Sequence, residues 1–127
     1  MSVAFWVYNP ITSSGKSWTR IFDFGNGEDQ YMFLTPSNGS EMRFVMKNGG
    51  EEQIVSTDKL ESGLHHVAVT VANDAVTLYV DGEKKAASTS FKIRPSDLHA
   101  VRKYIGRSQF AADPLFNGYL DDFRIYN

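Results

Sequence analysis

Apolar and polar residues alternate along this chain in short stretches, and the period is two. Residues 42–47 set the pattern: Met42, Phe44 and Met46 fall on one side of an extended chain, Arg43, Val45 and Lys47 on the other. Similar stretches occupy 20–25, 30–35, 64–72, 75–80, 101–106 and 116–126, with weaker ones at 52–56 and 91–93. In 20–25 the alternation puts Ile21 with Asp23, and Arg20 with Phe22 and Phe24. Residues 2–8 are apolar or aromatic almost throughout, the mark of a strand buried on both faces or nearly so. Turn-forming residues stand between the stretches: Asn9-Pro10 with the loop 12–16, then 25–29, 36–39, 48–50, Asn73-Asp74, Asp81-Gly82, an irregular turn at 94–98, and a long loop to Pro114. Helical spacing free of turn residues is absent, so no substantial helix is expected. About nine short strands at this turn density predict one antiparallel all-β sandwich or barrel over residues 1–127.

Composition narrows the function. Of 127 residues, 42% are hydrophobic and 13% aromatic, enough for a packed core and too many for a disordered chain. Thirteen Lys and Arg against fifteen Asp and Glu leave a net charge of −2, which argues against nucleic acid or an anionic membrane as the main partner. No apolar run approaches the roughly 20 residues of a membrane-spanning helix. Cysteine is absent, so disulfides, thiolate chemistry and cysteine-bound zinc are excluded. The first residues show no signal-peptide pattern, and the abrupt start at a strand reads as the boundary of an excised module.

Two segments carry a resemblance. HHVAVTV at 65–71 leads into VTLYVDG at 76–82, and YIGR at 104–107 is followed by FNGYLDDFRIY at 116–126. In this order and spacing, with FWVY at 5–8, they resemble laminin-G-like, concanavalin A-like jelly-roll domains over essentially the whole chain. The stretches 18–25 and 106–114 are similar to a narrower branch appended to bacterial secreted glycoside hydrolases. The resemblance implies a jelly-roll β-sandwich and a secreted or cell-surface setting. Leu64 stands where the family usually has Trp, which keeps an apolar side chain but removes an aromatic one. Family members also carry a further strand before the FWV segment, one that pairs with the last strand. Its absence is expected to leave 116–126 with an unpaired side, open to self-association through the sheet edge.

Catalysis finds little support. Glycosidases need two carboxylates flanking the scissile bond, and the related glucanases place theirs as Glu-x-Asp-x-x-Glu, a spacing this chain lacks. Glu28-Asp29, Glu51-Glu52 and Asp121-Asp122 are adjacent pairs, which a strand would point to opposite faces. His65, His66 and His99 form no zinc motif. His65 shares the side of Val67, Val69 and Val71 and is read as a core histidine bonded to backbone. Jelly-roll carbohydrate modules often hold a structural calcium near the chain ends, so the resemblance makes Asp121 and Asp122 its candidate ligands. The competing reading is a solvated Asp or an Asp–Arg124 pair.

Sugar recognition needs aromatic faces for the apolar side of a ring and planar polar groups for its hydroxyls. Trp18, Arg20 and Asp23 offer that mix within six residues, and the segment 107–113, with Arg107, Ser108, its phenylalanine and Asp113, offers it again before the last strand. Tyr31 and Tyr104 are candidates to complete either a ligand site or a structural latch. An inward Asp23 needs a partner, for which Arg107 is the candidate; a buried Arg–Asp latch without a ligand is the alternative. The function implied is a non-catalytic carbohydrate-binding module that tethers a glycoside hydrolase to polysaccharide. A protein-interaction or spacer module of a cell-surface protein is the rival.

Overall fold

The computed structural model of the protein describes residues 1–10 and 16–127. Of the loop expected at 12–16, only Lys16 lies among the described residues. Ten strands follow in chain order: β1 (Ser2–Asn9), β2 (Phe22–Gly25), β3 (Gln30–Thr35), β4 (Glu41–Asn48), β5 (Gln53–Asp58), β6 (Gly63–Ala72), β7 (Ala75–Val80), β8 (Glu83–Ser88), β9 (Arg102–Ile105) and β10 (Tyr119–Tyr126). They build two antiparallel five-stranded sheets, in the spatial orders β10-β1-β6-β7-β8 and β5-β4-β3-β2-β9. The result is an antiparallel jelly-roll sandwich, the fold class the alternation and the resemblance predict.

The core lies where period two places it. Val3, Phe5 and Val7 of β1 and Val67, Val69 and Val71 of β6 face Phe22, Phe24, Met42, Phe44 and Met46 of the other sheet. Phe22 is the hub, with ring centroids 5.1 Å from Phe24, 6.3 Å from Phe44 and 6.4 Å from Phe5. The hydrophobic effect from these fully buried side chains, about 1.5–3 kcal/mol each, is what holds the sheets face to face.

Several expectations need correction. β1 is not buried on both faces: Trp6 is 42% and Tyr8 41% exposed on the outer side. The faces assigned to 20–25 hold only from Phe22 onward. Ile21 joins the main core with Phe22 and Phe24, whereas Arg20 lies with Asp23 beyond the opposite face, because 19–21 precede the strand and need not alternate. A tenth strand, β8, has no apolar alternation to announce it (EKKAAS). It exists because the Asp81-Gly82 turn, with φ of 53° and 81°, folds it back onto β7. The weak stretch 91–93 is not a strand; Phe91 plugs the core, and Gln53 Oε1 accepts the backbone N–H groups of Lys92 and Ile93 at 2.8 and 3.1 Å. Pro95–Leu98 forms one 3-10 turn that buries Leu98.

β10 lies at the outer end of its sheet and pairs only with β1. Its register shifts opposite Ala4 and Trp6, where Asp122 adopts φ 52°, a bulge of the kind that blunts an exposed edge. Glycine stands at 118, just before the strand, because a side chain there would collide with the Tyr8 carbonyl and the Phe116 ring.

β2 and β3 are buried on both faces. Their inner residues meet the core; their outer ones, Asp23, Tyr31 and Phe33, are roofed by segments 16–21 and 106–117. That roof is where the candidate site forms.

Candidate functional site

The second roof segment is pinned by side chains. Gln109 donates its backbone N–H to Asp23 Oδ2 at 3.0 Å and its side-chain amide to the Arg102 carbonyl at 2.9 Å, while its Oε1 accepts from Gly27 N at 3.1 Å. Ser108 is buried; its hydroxyl donates to Asp113 Oδ2 at 2.9 Å and accepts from Phe110 N at 2.9 Å. These bonds fold 108–113 into a compact loop that lays Phe110 beside Tyr31, ring centroids 5.7 Å apart and edge to face. Tyr31, Phe33 and Val45 form a second small core under it.

The first roof segment presents Trp18. Its φ is 68°, a left-handed conformation that costs a non-glycine residue roughly 1–2 kcal/mol. Two backbone bonds hold it there: Trp18 N donates to the Ser37 carbonyl at 2.8 Å, and the Trp18 carbonyl accepts from Arg20 Nη1 at 2.7 Å. Strain of this sort persists where surroundings over-determine it and is common at ligand sites. The indole, 36% exposed, has two guanidinium groups near it, Arg20 at 5.8 Å and Arg43 at 6.0 Å from the ring centre.

Arg20 is the pivot. Its side chain is only 3% exposed; its guanidinium stacks 3.7 Å above the Phe33 ring centre, with Nη2 3.1 Å from Asp113 Oδ2 and Nε 3.4 Å from Asp23 Oδ2. The Nε contact is an ion pair without hydrogen-bond alignment, so Arg20 Nε and Asp23 Oδ1 are both buried without a hydrogen-bond partner among the described residues. Burial pushes the Asp23 carboxyl up to about 6, against the opposing pull of the Gln109 N–H and the Arg20 charge. Burial also lowers the Arg20 pKa, with Asp23 and Asp113 acting against it. Tyr31 is raised by burial and by its 2.6 Å hydrogen bond to Glu52 Oε2, so it stays a neutral phenol.

Together Trp18, Arg20, Tyr31, Phe33, Phe110 and Asp113, with Glu52 at the rim, enclose an open cleft of about 290 Å³. Four of the residues expected from sequence (Trp18, Arg20, Tyr31 and Asp113) line it. Three do not. Asp23 is fully buried behind Arg20, and Ser108 is buried beneath Asp113, so both support the wall rather than line the cleft. Arg107 is not the partner of Asp23: its guanidinium sits exposed, 4.8 Å over the Tyr104 ring, and Arg20 and the Gln109 N–H take that role. Phe110, the aromatic of the segment 107–113, lines the cleft as well, while Phe33 and Glu52 were missed. Phe33 follows Tyr31 by two residues and shares its face, a signal that was readable; nothing local marks Glu52.

A larger cavity of about 360 Å³ opens elsewhere, floored by Met42, Leu60 and Val80 and rimmed by charged side chains including Asp58 and Lys85. His65 lies there, with Nδ1 2.7 Å from Asp81 Oδ2; its partner is a carboxylate rather than the backbone alone, and its side chain is 14% exposed rather than part of the core. Burial pulls its pKa down, but the Asp81 hydrogen bond and charge, with the Ser62 and Glu61 carbonyls, outweigh that and leave it raised.

Asp121 and Asp122 sit on the exposed edge strand. Asp122 pairs with Arg124 Nε at 2.6 Å, and Asp121 Oδ1 accepts the Asp122 N–H at 2.9 Å. Among the described residues no group of three or more acidic or histidine side chains is placed to hold a metal. A calcium ion wants six to eight oxygens, more than these two carboxylates supply, and one of them is paired with Arg124.

Comparison with known proteins agrees with the architecture. Among solved structures the chain is similar to the CBM40 module of the Ruminococcus gnavus IT-sialidase bound to α2,3-sialyllactose, with TM-score 0.73, 16% identity, and coverage of 96% of this chain and 72% of that one. It is similar to domain 4 of AbnA, a GH43 extracellular arabinanase from Geobacillus stearothermophilus, in complex with arabinotriose, with TM-score 0.71, 22% identity, and coverage of 96% and 57%. Domains LG4-5 of the mouse laminin α1 chain give TM-score 0.67 at 12% identity, covering 97% of this chain and 34% of that one. No curated protein sequence matches the chain. The Laminin_G_3 family model matches residues 1–127, and the chain therefore belongs to that family of the concanavalin A-like lectin/glucanases superfamily.

Proposed function

We propose that this domain is a non-catalytic carbohydrate-binding module whose ligand rests against Trp18 in the cleft over β2 and β3. The observation that carries the reading is the indole held in a strained backbone conformation above a cleft with aromatic walls and a few fixed polar groups. An aromatic face takes the apolar side of a sugar ring, and carboxylates at the rim accept its hydroxyls. The two bacterial modules of the same fold, one bound to sialyllactose and one to arabinotriose, support it. Such a module acts outside the cell, joined to a glycoside hydrolase, and raises the enzyme's effective concentration at polysaccharide. Affinity electrophoresis through gels loaded with arabinan, xylan, galactan or mucin glycans tests this. Wild type is expected to be retarded by at least one polymer and Trp18→Ala by none; unretarded wild type on all of them would remove the reading.

The protein-interaction reading is favoured by a different face. Trp6, Tyr8, Leu64 and Tyr119 are exposed neighbours across β1, β6 and β10, Leu64 and Tyr119 both lying opposite Tyr8. Leu64 packs against nothing that buries it, at 63% exposure. An apolar patch of this kind suits a protein partner, and the laminin likeness is in keeping with it.

A further inference from the structure

Resting on the carbohydrate reading, we infer that the cleft takes uncharged saccharides as hydroxyl donors and excludes sugars that carry carboxylate or sulfate. Among the described residues Arg20 is the one cation lining the cleft, and its charge is already balanced by Asp23 at 3.4 Å and Asp113 at 3.1 Å. Arg43, beside Trp18, and Lys47, across from Tyr31, are engaged as well: Arg43 with Glu41 at 2.9 Å, and Lys47 with Asp29 at 3.4 Å. Among the described residues that line the cleft, an anionic sugar finds no unbalanced guanidinium or ammonium to meet it.

What the cleft does offer is acceptors. Glu52 spends Oε2 on the Tyr31 hydroxyl, and Asp113 spends Oδ2 on Arg20 and Ser108. Glu52 Oε1 and Asp113 Oδ1 have no hydrogen-bond partner among the described residues, and both side chains reach solvent at the cleft. A sugar hydroxyl is a donor and satisfies such an oxygen with a charge-assisted bond. A carboxylate or sulfate is acceptor-only and brings like charge against like charge. The lining charges count Arg20 against Glu52 and Asp113, and Asp23 lies directly behind, so the field inside is negative. Glu52 is thus a specificity-determining residue: it is exposed and lies outside the Arg20–Asp23–Asp113 latch, and its one contact with the wall is the Tyr31 hydroxyl, for which Gln keeps an acceptor.

Isothermal titration at neutral pH and low salt tests this with arabinotriose and galactotriose as uncharged probes, and trigalacturonic acid and 3′-sialyllactose as acidic ones. Galactotriose and trigalacturonic acid form a matched pair that differs in oxidation at C6. Wild type is expected to bind an uncharged probe and to bind the acidic probes at least about tenfold more weakly. Glu52→Gln should narrow that gap, and Glu52→Lys should close or invert it, each with an unchanged near-ultraviolet dichroism spectrum. A purely structural Glu52 would lower all affinities together and leave the ratio alone, which overturns the inference. So would wild type that binds trigalacturonic acid or sialyllactose as tightly as the uncharged probes, while the carbohydrate reading stands. Failure of every probe to bind, at millimolar concentration, would take down both.

Discussion

Two cavities lined by described residues differ in how their polar groups are held. The larger one, around His65, has an aliphatic floor and long charged side chains that point mostly into water; Lys85 and Glu83, a pair at 2.9 Å on its rim, are 40% and 75% exposed. The smaller one, around Trp18, has aromatic walls and a guanidinium fixed on three sides by Asp23, Asp113 and the Trp18 carbonyl. Volume alone would select the first. Preorganisation selects the second, because a ligand there pays little to order the groups that meet it. The lesson is that two loop segments roofing a sheet can hold charge rigidly at low exposure, whereas a rim of solvated side chains cannot.

Substitutions at the latch should break this contrast most strongly. Arg20→Ala strands Asp23 in the interior and is expected to cost about 3–5 kcal/mol, read as a fall in the chemical-denaturation midpoint. Lys85→Ala, its counterpart at the larger cavity, should stay within about 0.5 kcal/mol of wild type. Equal losses at the two positions would erase the difference.

The Asp23 carboxyl gives the contrast a pH signature. Its folded pKa, about 6, lies above its value of 3.8 in the unfolded chain. Its contribution is therefore fully present below pH 4 and is lost as pH rises through 6. Asp23→Asn, though destabilised by the loss of its charge against Arg20, should remove that downward slope, on the order of 2 kcal/mol between pH 4 and 7. Identical slopes in wild type and variant would place the titration elsewhere.

Trp18 separates stability from binding. Trp18→Gly relieves a left-handed backbone while deleting the indole, so stability should move by no more than about 1 kcal/mol. Retention on a polysaccharide gel should nevertheless fall by roughly tenfold or more. A variant that unfolds would assign Trp18 to packing instead.

The smallest effect belongs to the His65 pair. A histidine pKa raised by Asp81 stabilises the fold below its unfolded value of 6.5, and that contribution fades as pH rises through the folded value. His65→Gln should therefore be less stable than wild type by roughly 0.5 kcal/mol at pH 5.5, with the gap closing by pH 8.5. Sugar retention should not change.

Most strands were legible because one face of each is buried, which enforces the period of two in β4, β6 and β7. β8 was not, since its residues are mostly exposed and only its turn and its pairing with β7 define it. Within the site, Trp18, Arg20, Tyr31 and Asp113 were readable as residue types suited to sugar, and they do converge. Arg107 was mistaken for the partner of Asp23 because alternation, extended one turn too far, put Arg20 on the wrong face. Glu52 was invisible for a different reason: it enters the cleft through sheet order, across β4 from Tyr31, and chain-local pattern carries no such information.

The central claim is that saccharide enters the cleft beside Trp18. It is tested most directly by recording the indole and guanidinium nitrogen resonances of the labelled protein during titration with the neutral oligosaccharide that binds best. The account predicts saturable shifts of the Trp18 Nε1–H and of the backbone amides of Phe110 and Asp113, with the Trp6 indole and the His65 ring unmoved. Saturable shifts confined to Trp6, Tyr8 and Tyr119, or to the surroundings of His65, with Trp18 silent, would contradict it.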